Sequence, residues 1–119
     1  MTRDTTNWLR DAYRFGRRVL ELVDPLDLEQ YRSTEFPRIG VERYLIAIGD
    51  ALRPALQHDP GLGARIPEAR NAIDLRNFLT HAYMHIDDSV VWSACTTNLP
   101  NLLKDIDAVI REREKSHPE

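Results

Sequence analysis

Thr6-Asn7-Trp8-Leu9-Arg10-Asp11-Ala12-Tyr13-Arg14-Phe15-Gly16-Arg17-Arg18-Val19-Leu20-Glu21-Leu22-Val23 decides the fold class. Trp8, Ala12, Phe15, Val19 and Leu22 recur at spacings of 4, 3, 4 and 3. That is the apolar stripe of an amphipathic helix. Arg10, Arg14 and Arg18 stand four apart on another face. Asp24-Pro25 ends the helix, because the residue before proline disfavours α geometry. Working outward, Asp27 with Gln30 reads as a capping box on a short turn. Ser33 or Thr34 then caps a second long helix with the stripe Val41, Leu45, Ile48, Leu52 and Leu56. His58 to Gly63 reads as a loop. Ile66-Pro67 opens a third helix carrying Ala69, Ile73 and Leu79 as far as the His81–His85 region.

Ile86-Asp87-Asp88-Ser89 reads as a break and restart, with Asp87 as cap and Ile86 stapled onto Val91. The fourth helix holds Val91, Trp92, Cys95 and Leu99. Pro100 either kinks it or starts a fifth, carrying Leu102, Leu103, Ile106, Val109 and Ile110. No segment alternates with period 2. The expected architecture is an all-α, up-and-down bundle of four or five helices. It forms one domain over residues 1–119, with residues 111–119 a frayed charged tail.

The 119 residues suit one domain, and 42% apolar residues suffice for a core. No apolar run reaches the ~20 residues of a membrane helix, and the N-terminus lacks the apolar stretch of a signal peptide. The single cysteine, Cys95, can form neither an internal disulfide nor a multi-cysteine zinc site. A cytoplasmic setting is expected. The net charge of −3 excludes a generic polyanion-coating protein. Arginine outnumbers lysine 14 to 2. Its planar fork suits phosphate, although a GC-rich coding sequence has the same effect on composition.

The chemistry concentrates in Arg76-Asn77-Phe78-Leu79-Thr80-His81-Ala82-Tyr83. At about 100° per residue, Arg76 and Tyr83 share a helix face, and Asn77 and His81 share a neighbouring one. Arg76 and His81 stand about 140° apart on a straight helix. They converge on one phosphate if the helix loosens near His81, or if a second copy supplies the other half. Arginine plus histidine is what metal-free RNA cleavage needs. The 2′-hydroxyl attacks its adjacent phosphorus, histidine moves the proton, and the guanidinium holds the phosphate charge. The bare spacing carries little, since about 1.4 such Arg-to-His matches arise by chance. Three occur: Arg53 to His58, Arg76 to His81 and Arg111 to His117. Only the second is embedded in a helix with added Asn and Tyr.

With its flanks, this segment resembles a known family. Arg76-Asn77-x-Leu79-x-His81-x-Tyr83, then Ile86-Asp87, Val91-Trp92 and Asn98-Leu99-Pro100, is similar to HepT, the toxin of type VII HEPN/MNT toxin–antitoxin pairs. Ile46-Ala47-Ile48-Gly49-Asp50-Ala51 resembles the family's Ile-x-x-Ile-Gly-Glu-Ala, with Asp50 in place of Glu. The resemblance spans roughly residues 8–110. It implies a HEPN bundle and a homodimer with two Arg–His pairs facing a shared cleft. It also implies a metal-independent endoribonuclease, needing no cofactor, with Arg76 and His81 catalytic and Asn77 and Asp50 supporting. Tyr83 matches the tyrosine that a cognate MNT-type nucleotidyltransferase antitoxin modifies with AMP.

Plainer readings stand beside these. Without the flanks, Arg76 reads as a surface arginine, His81 as a satisfied core histidine and Tyr83 as a core ring. His81 and His85 at i, i+4, with Asp87 or Asp88, would suit a metal, but nothing nearby closes the shell. The functional alternative is a non-catalytic helical dimer acting as adaptor for a nucleotidyltransferase.

Overall fold

The computed structural model describes residues 3–81 and 86–116, with side chains from Thr5 onward. All its regular structure is helical: α1 (Arg3–Val23), α2 (Leu28–Ser33), α3 (Glu35–His58), α4 (Leu62–Arg65), α5 (Ala69–His81), α6 (Asp88–Ser93) and α7 (Leu99–Ser116). A π-helical turn, Ala94–Asn98, joins α6 to α7. The long rods are α1, α3, α5 and the composite α6–π–α7, an up-and-down all-α bundle. Helix α3 packs against both α1 and α5, and α7 closes on α1.

The α3 stripe behaves as its periodicity predicts: Val41, Leu45, Ile48, Leu52 and Leu56 are all buried. In α1 the core face is rotated from the expected one. Leu9, Ala12, Val19 and Val23 are buried, while Trp8, Phe15 and Leu22 are partly buried at its margin. Gly16 explains the rotation, because a Cβ there would collide with the Leu103 side chain. Helix α7 therefore lies directly on the glycine, a face that hydropathy alone does not mark.

The caps follow the sequence closely. The Asp27 carboxylate accepts from the Gln30 N–H at 2.8 Å, and the Gln30 amide oxygen accepts from the Asp27 N–H at 2.9 Å. Thr34 occupies the N-cap position of α3, but its hydroxyl donates back to the Gln30 carbonyl at 2.6 Å. It thus satisfies an open end of α2 rather than the start of α3. The His58–Gly63 loop gives way at Leu62 to the short α4, and α5 begins at Ala69, two residues beyond Pro67. Asp87 caps α6 by accepting from the Ser89 N–H at 2.9 Å and from its hydroxyl at 2.6 Å. Those bonds hold the Asp87 carboxyl below its ordinary pKa.

Pro100 falls in the first turn of α7, the helix carrying Leu102 to Ile110 that one of the two sequence readings starts there. The Leu99 N–H reaches back to the Ala94 carbonyl, five residues away, so the π turn makes room for a proline that has no N–H to give. The expected frayed tail is also corrected as far as Ser116. Helix α7 runs to that residue, fastened by Arg65–Glu112 at 2.6 Å, Arg113–Asp59 at 2.9 Å and Arg10–Glu114 at 3.3 Å. No described helix is long and apolar enough to cross a membrane.

Candidate active site

Gly49 in α3 sets the geometry of the site. A Cβ on it would overlap Cβ and Cγ of Arg76 and lie 3.2 Å from the Ala72 carbonyl. Helices α3 and α5 therefore meet with the Arg76 stem laid across the bare glycine backbone. The next residue, Asp50, accepts from Arg76 Nε at 2.7 Å. Arg76 is 25% exposed at its side chain and Asp50 53%. One methylene shorter than Glu, Asp50 still reaches the guanidinium.

Asn77 joins the two halves of the motif. Its side-chain Oδ1 accepts from Arg76 Nη1 at 3.2 Å. Its main-chain carbonyl faces His81 Nδ1 at 2.7 Å and accepts from the Thr80 hydroxyl at 3.1 Å. A carbonyl oxygen can only accept, so Nδ1 carries the hydrogen in neutral His81. The basic lone pair is then on Nε2, at the outer edge of the ring. Thr80 Oγ1 also lies 3.1 Å from Nδ1. The guanidinium spends Nε and one Nη1 hydrogen within this network. Nη2 has no hydrogen-bond partner among the described residues.

Of the sequence-derived site residues, Arg76, Asn77 and Asp50 form one hydrogen-bonded unit, and His81 joins it through the Asn77 backbone. Tyr83 lies outside the described residues, as does His85 of the metal alternative. Among the described residues, no three His, Cys, Asp or Glu side chains are grouped to hold a metal. Two contributors receive no role from the sequence, although Gly49 stands within the family-like Ile46–Ala51 stretch. Gly49 acts through a contact with a residue in another helix, which no local pattern reports. Thr80 carries a weak signal: a threonine hydroxyl three residues after Asn77 can bond back to that carbonyl.

Helix α5 separates two grooves. An apolar one of about 370 Å³ is lined by Leu45, Ile48, Ala72, Leu75, Val90 and Leu99, among others. A more polar one of about 490 Å³ runs between α3 and α5 on the other flank and includes Asn77. Cys95 is buried, and desolvation pushes its thiol up to about 12, so it is an inert core residue.

The arrangement offers a guanidinium fixed by hydrogen bonds and an imidazole with its Nδ1 hydrogen engaged, groups that can bind a phosphate and move a proton. Similarity to known proteins agrees with that chemistry. Residues 14–109 match the family described as HepT-like, ribonuclease HepT-like, and the chain belongs to that family. Among its relatives is "Putative RNase MJ1380" from Methanocaldococcus jannaschii, 27% identical over 109 residues, covering 90% of this chain and 97% of the relative. "Putative RNase MJ0125" and "Putative RNase MJ1216" come from the same organism. They are 22% and 21% identical and cover 95% and 94% of this chain, and 97% and 92% of their own lengths. No solved structure matches the chain.

Proposed function

We propose that this protein is the toxin of a HEPN/MNT toxin–antitoxin pair and cleaves RNA without a metal. The observation that carries the reading is the Asp50–Arg76–Asn77–His81 network. It fixes a guanidinium by two of its nitrogens and leaves Nε2 of His81 as base. In the proposed reaction His81 Nε2 takes the proton of the RNA 2′-hydroxyl, whose oxygen attacks the adjacent phosphorus. The bond to the 5′ oxygen breaks, leaving a 2′,3′-cyclic phosphate and a 5′-hydroxyl. Arg76 holds the phosphate oxygens while their charge grows.

A homodimer completes the site by bringing two Arg–His pairs to one cleft. The second copy's imidazolium then protonates the departing 5′ oxygen. Support for a dimer comes from exposed large apolar side chains near the α3 start, the α5 end and the α6 start. Phe36, Ile39, Val90 and Phe78 there are 82%, 51%, 52% and 41% exposed. Control is assigned to Tyr83. Its hydroxyl attacks the α-phosphorus of ATP on a partner nucleotidyltransferase, pyrophosphate leaves, and the tyrosyl-AMP occupies the substrate's place beside Arg76.

The test is growth inhibition on expressing the chain alone. Wild type should arrest growth, and His81→Ala and Arg76→Ala should each abolish the arrest. Equal arrest by the His81→Ala protein would favour the non-catalytic adaptor. Light scattering at micromolar concentration should give a dimer; a monomer would remove the shared cleft.

A further inference from the structure

The groove of about 490 Å³ between α3 and α5 carries Arg53 on one wall and Arg70 on the other. Most arginines on this protein are already partnered by a carboxylate, in ion pairs distributed over the whole surface. Arg53 and Arg70 are exposed and have no carboxylate partner among the described residues. Arg17 and Arg43 share that condition, but on helix faces away from this groove. Asp74, four residues after Arg70, is the one carboxylate lining the groove and is ion-paired with neither. Elsewhere in the lining Leu56, Pro60 and the buried Ile73 supply apolar surface, and Gln57 and Asn77 supply amide groups.

The groove leads to the reacting groups. Arg70, Asp74 and Asn77 fall at i, i+4 and i+7 on one face of α5, about 10 Å along its axis. On α3, Asp50 precedes Arg53 by one turn. The Asp50–Arg76 bond and Asn77 therefore sit at the head of the groove, with Arg53 and Arg70 further down. Two cations beside an apolar surface that also carries amides fit a single nucleic acid strand. Phosphates meet the arginines, and a sugar or base lies on the apolar floor.

We infer that the α3–α5 groove is the substrate track, in which Arg53 and Arg70 each hold a phosphate of single-stranded RNA next to the site of cleavage. This rests on the ribonuclease reading. Arg53 and Arg70 are binding residues remote from the reacting atoms. Their loss raises KM and leaves kcat near the wild-type value.

The experiment uses the full chain and a short single-stranded 2′-O-methyl RNA, which cannot be cleaved, followed by fluorescence anisotropy at several salt concentrations. The variant pair is Arg53→Gln with Arg70→Gln. The control pair, Arg17→Gln with Arg43→Gln, makes the same change in net charge at two unpartnered arginines away from the groove. Each phosphate contact on a single strand contributes about −0.7 to the slope of log affinity against log salt. The groove variant should lose about 1.4 of slope and about tenfold or more in affinity at moderate salt, and the control should lose neither. Asp74→Asn should move affinity the opposite way, since it removes the carboxylate that repels phosphate.

Equal losses from both pairs would show a diffuse charge effect and overturn the assignment. So would wild-type binding that the groove variant leaves unchanged, with the ribonuclease reading intact. Wild-type protein that binds no RNA at any salt would overturn the ribonuclease reading and the track together.

Discussion

Gly49→Ala tests the packing that aims Arg76. Two opposing terms set its stability. Alanine in a helix interior is favoured over glycine by about 1 kcal/mol. Against this, the new Cβ would overlap Cβ and Cγ of Arg76, atoms close to the α5 backbone that cannot swing away like the end of a long side chain. Overpacking of that kind costs about 1–3 kcal/mol. The net should be a loss of about 1 kcal/mol, a fall of roughly 4 °C in Tm for a domain of this size. The effect on catalysis should be larger. Separating α3 from α5 takes Arg76 Nε away from Asp50, now 2.7 Å distant, and displaces the guanidinium. Misplacement by about 1 Å can cost 100-fold in rate. Cleavage of a fluorogenic RNA, with thermal melting on the same samples, separates the two. Gly63→Ala is the control, because a Cβ there meets nothing within 4 Å. It should leave the rate unchanged and the melt unchanged or slightly higher. Wild-type cleavage by the Gly49→Ala protein would refute the idea that this contact positions Arg76.

Asp50→Ala should lower the cleavage rate about tenfold with little change in Tm, since a half-exposed ion pair contributes at most about 1 kcal/mol to stability; parallel kinetics and melting check it. Burial first, and Asp88 nearby second, raise the Glu42 carboxyl above its ordinary pKa, with Arg38 opposing. A raised folded pKa means stability that is present at low pH and lost as pH climbs through the folded value. Glu42→Gln should therefore stabilise the protein at neutral pH, and the gain should vanish once the pH falls below the ordinary glutamate range in a denaturant series. Tyr83→Phe should keep toxicity and prevent silencing. Intact mass after incubation with ATP, magnesium and the partner enzyme should rise in AMP steps on wild type only, and an equal rise on the variant would move the modified residue elsewhere.

Much of the fold can be read in the sequence where burial and hydropathy coincide. The α3 stripe is such a case, and so are the Asp27–Gln30 and Asp87 caps, which depend on neighbours within three residues. Hydropathy misleads where small residues set the packing. Gly16 has none to speak of, yet it marks the α1 face that α7 covers, so a stripe drawn through Trp8 and Phe15 is rotated from the true core face. Pro100 signals a disturbance, but whether a helix answers a proline by ending or by widening into a π turn depends on what packs around it. The alternating charges from Arg111 onward read locally as a solvated, fraying end. Their partners Asp59, Arg65 and Arg10 lie far away in sequence, so the order they impose has no local signature. At the candidate site, residue types and spacing point to Arg76, Asn77 and His81. Tyr83 belongs to the same segment, and the family resemblance adds Asp50 and the roles of all five. The tautomer of His81 and the seat of Arg76 on Gly49 are products of three-dimensional packing.

In the proposed reaction Arg76 and His81 cleave RNA through its own 2′-hydroxyl. The most direct measurement is cleavage of a single-stranded RNA by purified, unmodified protein in EDTA, with the product ends identified by mass spectrometry. Wild type should cut as fast as without chelator and leave 2′,3′-cyclic phosphate and 5′-hydroxyl ends, while His81→Ala, or 2′-deoxy substitution throughout the RNA, should stop the reaction. Cleavage that EDTA abolishes, or that persists in the His81→Ala protein or on the 2′-deoxy strand, would contradict the account.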